Sequence, residues 1–301
     1  MCDPQELLIC PLCQEPLTQG LPTGFLRCAN NHHFDIARQG YINLLPSNRK
    51  KSRLPGDSKD MVASRRLFLN GEHYSRIADR LSRLLSEDLL SISGKEHGEG
   101  CDSRLQGQIP YTVLDLGCGE GYYTRRVMGE LARQNPYTPL HFYGIDISKA
   151  AVKQASAMTK KACWIVGTNY HLPIKSDSLN GIFSVFSPVM LSECCRTLKS
   201  QGLFIRVLPG ASHLIEIRDI IYPKTLLNTE AEKEEACVGL THMTTEKIEF
   251  NMGLNQESLL DLVRMTPHYW KTTQADKNAL KEFSALQVTA SLLVFVYKKS
   301  S

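Results

Sequence analysis

The rhythm of apolar and polar positions divides the chain into three regions. From about residue 71 onward, helically spaced apolar residues alternate with short apolar runs. Tyr74, Ile77, Leu81, Leu84 and Leu85 lie one to four residues apart along a single face, which predicts an amphipathic helix. The runs 111–117 (YTVLDLG), 140–148 (LHFYGIDIS), 163–168, 179–186 and 202–210 read as five strands. The β-branched stretch 286–299 reads as a late strand completing the sheet. Helices alternating with apolar strands predict an α/β domain with a parallel sheet. Residues 91–110 (SISGKEHGEGCDSRLQGQIP) are polar and Gly-rich and read as a loop. Ahead of this domain, residues 1–45 carry cysteines and histidines among prolines and glycines, and residues 46–70 are polar and basic. The expected division is a small module over 1–45, a linker over 46–70 and the α/β domain over 71–301.

Composition narrows the class. Apolar residues make up 42% and charged residues 22% of the 301 positions, which excludes a disordered, collagenous or coiled-coil chain. The longest apolar stretch, Ala290 to Tyr297 with Ser291 inside it, is far shorter than the ~20 residues needed to cross a bilayer. The N-terminus, MCDPQELLIC, has no signal-peptide pattern. A cytoplasmic protein is therefore expected, with its ten cysteines present as thiols or metal ligands rather than disulfides. Between Arg38 and Arg83 there are eleven basic and four acidic residues, a net +7 within a chain of net +4. Such a block predicts a polyanion partner, the alternative being a solvated linker and helix face.

Cys10-x2-Cys13-x14-Cys28-x3-His32 has metal-site spacing. Two thiolates two residues apart share one knuckle, and a second pair about 15 residues on closes a tetrahedron around Zn²⁺. Three thiolates and an imidazole leave no open position, so the expected role is structural. His33 is the alternative to His32. The other seven cysteines (Cys2, Cys101, Cys118, Cys163, Cys194, Cys195, Cys237) show no such pattern and read mostly as small buried residues.

Residues 113–121, VLDLGCGEG, run an apolar strand into a glycine turn and then a helix. Glycines let a ligand approach the backbone at the carboxyl end of a strand. The spacing Gly117-x-Gly119-x-Gly121 lacks the last step of a dinucleotide fingerprint, and Asp115 at the strand end suits an ammonium better than a pyrophosphate. The string resembles motif I of the Rossmann-like S-adenosylmethionine methyltransferases, whose glycine loop lies against the methionine part of the cofactor. Asp146, followed by Ile147, matches the acid of that family that holds both ribose hydroxyls. A carboxylate suits this task because its two oxygens accept two hydrogen bonds. Thr168 and Asn169 match positions beside the adenine. The alternatives are a helix cap at Asp146 and a plain turn at Thr168 and Asn169.

A more specific resemblance covers nearly the whole chain. CPLCQEPL, C-x3-HHFD, QGYINLLP, RLPGDSKDMVASRRLFLNGEHY, LDLGCGEGYYT, PGASHLIEI and MTPHYW together resemble the 23S rRNA guanine-N1 methyltransferases of the RlmA type. The departure is the segment 91–110, longer than the usual connection. The resemblance implies a Rossmann-like methyltransferase sheet with a small N-terminal zinc module. It implies S-adenosylmethionine as donor, N1 of a guanine in a 23S rRNA hairpin loop as acceptor, and structural zinc at Cys10, Cys13, Cys28 and His32. It also carries cofactor contact onto Tyr74, the Gly119–Glu120 turn and His213. The alternatives are a core aromatic at Tyr74 and a surface-loop histidine at His213. A homodimer, with two zinc modules shaping one RNA cleft, is compatible with the resemblance, although the surface pattern does not demand it.

Guanine N1 carries a proton and lies on the Watson–Crick edge, so the target base must be unpaired or extruded. Asp57, His171, Glu193 and His213 are candidates for assisting its deprotonation, and none is assigned as catalytic. Arg49, Lys50, Lys51 and Arg53 are expected at RNA phosphates, and Phe34, Tyr41 and Tyr170 against bases or in the core. Two other activities fit the same motifs: methylation of a neighbouring rRNA guanine, of the kind linked to macrolide resistance, and methylation of a small molecule. A zinc-dependent RNA-binding module that no longer catalyses is a third alternative, opposed by the intact glycine loop.

Overall fold

The computed structural model describes residues 7–21, 24–46, 56–95, 110–221, 237–266 and 274–300. Three short strands, β1 (Thr18–Gln19), β2 (Phe25–Arg27) and β3 (His33–Asp35), form an antiparallel sheet in that order. Then come β4 (Tyr41–Asn43), α1 (Lys59–Asn70), α2 (Ser75–Lys95), β5 (Tyr111–Leu116), α3 (Tyr122–Gln134), β6 (Leu140–Asp146), α4 (Lys149–Met158) and β7 (Ala162–Val166). The chain continues through β8 (Leu179–Val185), α5 (Leu191–Thr197), β9 (Leu198–Pro209), α6 (Ile215–Ile221), β10 (Leu240–Asn255), α7 (Gln256–Arg264), α8 (Gln274–Lys281) and β11 (Ala285–Lys299).

The large sheet has the order β10-β11-β9-β8-β5-β6-β7-β4. Strands β4 to β9 pair in parallel, and β11 and β10 are antiparallel additions beyond β9. This is the Rossmann-like α/β arrangement. From β5 the chain winds one way through β6 and β7, then returns to the other side of β5 for β8 and β9. The reversal opens a crevice at the carboxyl ends of β5 and β8, where open α/β sheets bind ligands.

Side-chain alternation builds the two faces. Val113, Phe142, Trp164 and Ile205 join the core on one side, with Leu81 and Leu85 of α2 and Val127 of α3. Leu114, Tyr143, Ile165 and Phe204 join the core on the other. Strands buried on both faces read as continuous apolar runs, which is why five of them are visible in the sequence.

Four features differ from expectation or go beyond it. Residues 91–95 continue α2 instead of starting a loop, because Leu84, Leu85 and Leu89 keep the helix packed on the sheet past its serines. β11 is the expected late strand of the sheet, and β10, which was not expected, lies outside it at the edge. β4, from the end of the N-terminal region, pairs with β7 (Tyr41 opposite Trp164) and widens the large sheet. Leu7, Leu8, Leu17 and Leu26 of the N-terminal region share one core with Leu114 and Ile165, so the small module packs directly on the sheet face.

Candidate metal centre and cofactor site

Cys10, Cys13, Cys28 and His32 place one ligand atom each within 4.8 Å of one another. Cys13 Sγ lies 3.6 Å from Cys28 Sγ, and His32 Nδ1 lies 3.4 Å from Cys28 Sγ and 3.5 Å from Cys10 Sγ. Zinc bonds of about 2.3 Å to sulfur and 2.0–2.1 Å to nitrogen give tetrahedral edges of roughly 3.5–3.8 Å. The four atoms therefore fit that ion, and they do so through His32. His33 instead packs at a tilt against Phe25, 5.1 Å between ring centres. Tight turns shape the knuckles: the Gln14 amide donates to the Cys10 carbonyl (2.8 Å) and the Asn31 amide to the Cys28 carbonyl (3.1 Å). Of the remaining described cysteines, Cys118, Cys163 and Cys194 are buried, while Cys195 and Cys237 are half-buried.

The glycine loop follows β5 directly. Gly117, Gly119 and Gly121 all have positive φ, at 82°, 55° and 82°. At Gly117 a Cβ would lie 2.3 Å from the Cβ of Ser187, so that position has no room for a side chain. At Gly119 the nearest atom, Arg65 Nη1, would be 3.5 Å away, so the space above the loop is open on that side. Asp146, at the end of β6, accepts from the Gly119 amide at Oδ2 (2.9 Å) and from the Ser148 amide at Oδ1 (2.7 Å). Each oxygen keeps a second lone pair for a ligand hydroxyl. Burial raises the Asp146 carboxyl above its ordinary range. Hydroxyl donors would favour its charged form.

The other expected residues surround this loop. Asp115 is 2% exposed and lies beneath the loop, where its Oδ2 accepts from the Thr124 hydroxyl at 2.5 Å. Burial lifts its carboxyl to about 7, opposed by that hydrogen bond. Glu120 is buried with Arg125 at 3.3 Å. Ile147 packs beneath Gly56. Thr168 caps its own turn, accepting from the Tyr170 amide at 3.3 Å. Asn169 donates to Ser187 Oγ (3.1 Å) and to the Pro188 carbonyl (2.9 Å), tying the loop after β7 to the loop after β8.

Tyr74 and His213 meet across 139 residues, with Oη 3.4 Å from Nε2. The Ser291 amide donates to His213 Nδ1 (3.3 Å), so the neutral ring carries its proton on Nε2 and donates it to Tyr74. Burial, with Arg218 nearby, lowers His213 to about 4. Tyr74 is 1% exposed, and its ring packs edge-on against Phe68 at 5.2 Å. Tyr74 is thus packed into the core, with His213 as its polar partner.

The basic block divides. Arg49, Lys50, Lys51 and Arg53 lie outside the described residues. Arg80 pairs with Glu246 at 2.5 Å, and Arg76 lies 4.9 Å over the Phe250 ring, so these two support packing. Arg65 reaches the glycine loop, pairs with Asp57 and donates to the Met265 carbonyl at 3.3 Å. The Ser148 hydroxyl donates to the Asp57 carbonyl at 2.8 Å. Residues 56–65 therefore strap the β6–α4 turn and the glycine loop, a role that sequence spacing could not reveal. The Tyr123 hydroxyl is buried with no partner among the described residues, within electrostatic reach of Arg65, Tyr74 and Asp115. A buried hydroxyl of this kind costs about 1–3 kcal/mol unless a ligand meets it. Together with the open face of Gly119 and the second lone pairs of the Asp146 oxygens, it leaves polar groups beside the glycine loop for a polar ligand such as S-adenosylmethionine.

Comparison with known proteins agrees with this geometry. Residues 8–53 match the family described as "RlmA, N-terminal", and residues 113–202 match "Methyltransferase domain". The 23S rRNA (guanine(748)-N(1))-methyltransferase of Streptomyces fradiae is 30% identical over 269 residues, covering 87% of this chain and 85% of that protein. The Bacillus subtilis (strain 168) protein YxjB, named within the same 23S rRNA (guanine-N(1)-)-methyltransferase class, is 26% identical over 294 residues and 96% of each chain. With a zinc ribbon and a methyltransferase sheet in one continuous match of this extent, the chain belongs to the family of 23S rRNA guanine-N1 methyltransferases.

Proposed function

We propose that this protein transfers the methyl group of S-adenosylmethionine to N1 of one guanine in a hairpin loop of 23S rRNA. The carrying observation is the coupling, in one chain, of the Gly117–Gly121 loop and Asp146 at the sheet's switch point with the Cys10, Cys13, Cys28 and His32 cluster. The cluster belongs to a ribbon packed on the methyltransferase sheet, and a recess of about 290 Å3 at their seam is lined by His33, Phe34, Asp35, Tyr41 and Lys149, among others. That mixture of aromatic and charged groups suits RNA better than a small apolar acceptor. Arg49, Lys50, Lys51 and Arg53 are assigned to phosphates. No helix among the described residues is long and apolar enough to cross a membrane. The rRNA substrate is what supports a cytoplasmic location, and a homodimer whose ribbons flank one cleft is compatible with the reading and is tested by sedimentation.

In this reading Asp146, Thr168 and Asn169 hold the adenosine end, and the glycine loop with Tyr74 and Tyr123 holds the other. The bound cofactor supplies an electrophilic methyl on a sulfonium. Held there, the donor would supply its methyl to guanine N1, and the chain must receive the N1 proton. The chain's main contribution is alignment. Among the candidates for receiving the proton, Asp57 is paired with Arg65, and His213 has its Nδ1 lone pair on the Ser291 amide. Burial pushes Glu193 up, but hydrogen bonds from Arg196 and the Leu172 amide outweigh this and hold it low. Exposed His171 remains.

The test is nucleoside mass spectrometry on 23S rRNA from cells lacking the protein, incubated with purified protein and S-adenosylmethionine. One new 1-methylguanosine in a hairpin loop is expected. No new methylated nucleoside, in naked rRNA or in ribosomal particles, overturns the reading.

A further inference from the structure

Phe186, the residue after β8, occupies a conformation that its side chain does not favour. Its φ is +55°, a left-handed value that costs a bulky residue energy and is worth a functional question. The conformation is held in place, since the Phe186 amide donates to the Val207 carbonyl at 3.0 Å. Burial does not compensate for the strain, because the ring is 39% exposed. The ring instead lies beside His213 (5.6 Å between centres, tilted 34°) and Tyr74 (5.9 Å).

The position next in the chain fixes where this ring stands. The Ser187 side chain fills the space that a Cβ on Gly117 would need, so the loop after β8 abuts the cofactor loop. Asn169 ties the same loop to the one carrying Tyr170. Tyr170 and Met190 on these two loops are also large apolar side chains left exposed. An aromatic shelf thus stands at the carboxyl edge of the sheet, next to the glycine loop.

We propose that Phe186 is the stacking platform on which the acceptor guanine lies during methyl transfer. This deepens the function proposed above and rests on it. A purine offers a flat π-face to an aromatic ring, and stacking leaves the whole Watson–Crick edge, N1 included, free to turn toward the methyl donor. The His213 ring beside the platform is kept neutral by burial and keeps its Nε2 proton on Tyr74, so it shapes the shelf without charging it. The backbone strain at Phe186 then has a use: a left-handed turn aims the ring outward over the crevice instead of into the core.

The test uses the full zinc-loaded chain and unmodified 23S rRNA transcript, with wild type, Phe186→Asn and Phe186→Tyr. Asn tolerates the left-handed conformation and removes the ring. The expected result for Phe186→Asn is a fall of about ten- to hundredfold in kcat/KM for RNA, the size of one lost base stack. Its affinity for S-adenosylhomocysteine, read by calorimetry, stays within about twofold of wild type, and Phe186→Tyr recovers most of the lost kcat/KM. Photocrosslinking of rRNA containing 6-thioguanosine is expected to label the peptide around Phe186. A kcat/KM for Phe186→Asn close to wild type overturns the platform, as does a loss that appears equally in S-adenosylhomocysteine binding. A wild-type protein that methylates no RNA at all removes the underlying function, a result distinct from an active wild type with an indifferent Phe186→Asn.

Discussion

Side chains close the ribbon, whereas backbone closes the cofactor crevice. The ribbon's strands are only two or three residues long, and what brings its two knuckles together is a set of three thiols and an imidazole. The crevice is framed by strands of six and seven residues buried on both faces, and its key contacts run through glycines and amide groups. One site depends on an ion for its shape, and the other is shaped before any ligand arrives. The two regions nevertheless share a core, because Leu8, Leu17 and Leu26 pack with Leu114 and Ile165.

That shared core makes metal removal the largest test of the contrast. Cys28 is buried at the centre of the cluster, so Cys28→Ala leaves the ribbon unclosed. A structural zinc contributes on the order of 10 kcal/mol, and each kcal/mol corresponds to about 2–4 °C in a domain of this size. Chelation, or Cys28→Ala, is expected to lower the melting temperature of the whole chain by roughly 20 °C or more, read by calorimetry with zinc content measured alongside. A methyltransferase domain that melts unchanged without zinc would mean that the seam carries no stability.

Two glycine substitutions separate shape from ligand contact in the crevice. Gly117→Ala meets Ser187 and an unfavourable φ at once, so a loss of about 2–4 kcal/mol is expected in urea unfolding. Gly119→Ala has open space and only the φ penalty, about 1 kcal/mol. Its expected mark is instead on S-adenosylhomocysteine affinity, lowered at least about tenfold because the new methyl projects over the loop. Equal stability losses for the two would show that the loop is not pressed against Ser187. Asp146→Asn removes charge from a carboxylate assigned to two hydroxyls and is expected to weaken the same affinity by about ten- to a hundredfold. An unchanged calorimetric titration would remove Asp146 from the site.

The same contrast governs what could be read from the sequence. Ligand chemistry is local, so the spacing from Cys10 to His32 was visible without a structure, as was the glycine string after a fully apolar strand. Continuous apolar runs exposed the strands buried on both faces. β10 was missed because its first part, THMTTE, is mostly polar and exposed, and the alternation that marks a strand begins only at Glu246. β4 was missed as a sheet strand because three residues carry no period. The strap over the glycine loop, Asp57 and Arg65, joins residues more than 50 positions from Gly119, and its arginine looked like one more charge in a basic block. Phe186 was hidden for a related reason. Its distinction is a φ angle, and no residue type announces a left-handed phenylalanine.

A pH profile tests the charge beneath the loop. Burial holds the Asp115 carboxyl up at about 7 against an ordinary 3.8. A folded-state value above the unfolded one means that the folded protein binds this proton more tightly. Its contribution to stability is therefore complete below about 4 and declines as pH rises toward 7. His213 works in the opposite sense. Burial lowers it from 6.5 to about 4, so its contribution is present above 6.5 and is lost as pH falls toward 4. The two partly cancel across the same window, and the wild-type profile alone cannot expose either. Asp115→Asn keeps an oxygen for the Thr124 hydroxyl and removes the titration. The melting temperature of Asp115→Asn relative to wild type is expected to climb steadily from pH 4 to pH 7 and then level off. The difference should remain when zinc content is equal in both proteins, since the carboxyl lies under the cofactor loop and not in the ribbon. A gap between variant and wild type that stays constant with pH would mean that Asp115 is charged throughout, with Thr124 sufficient to hold it so.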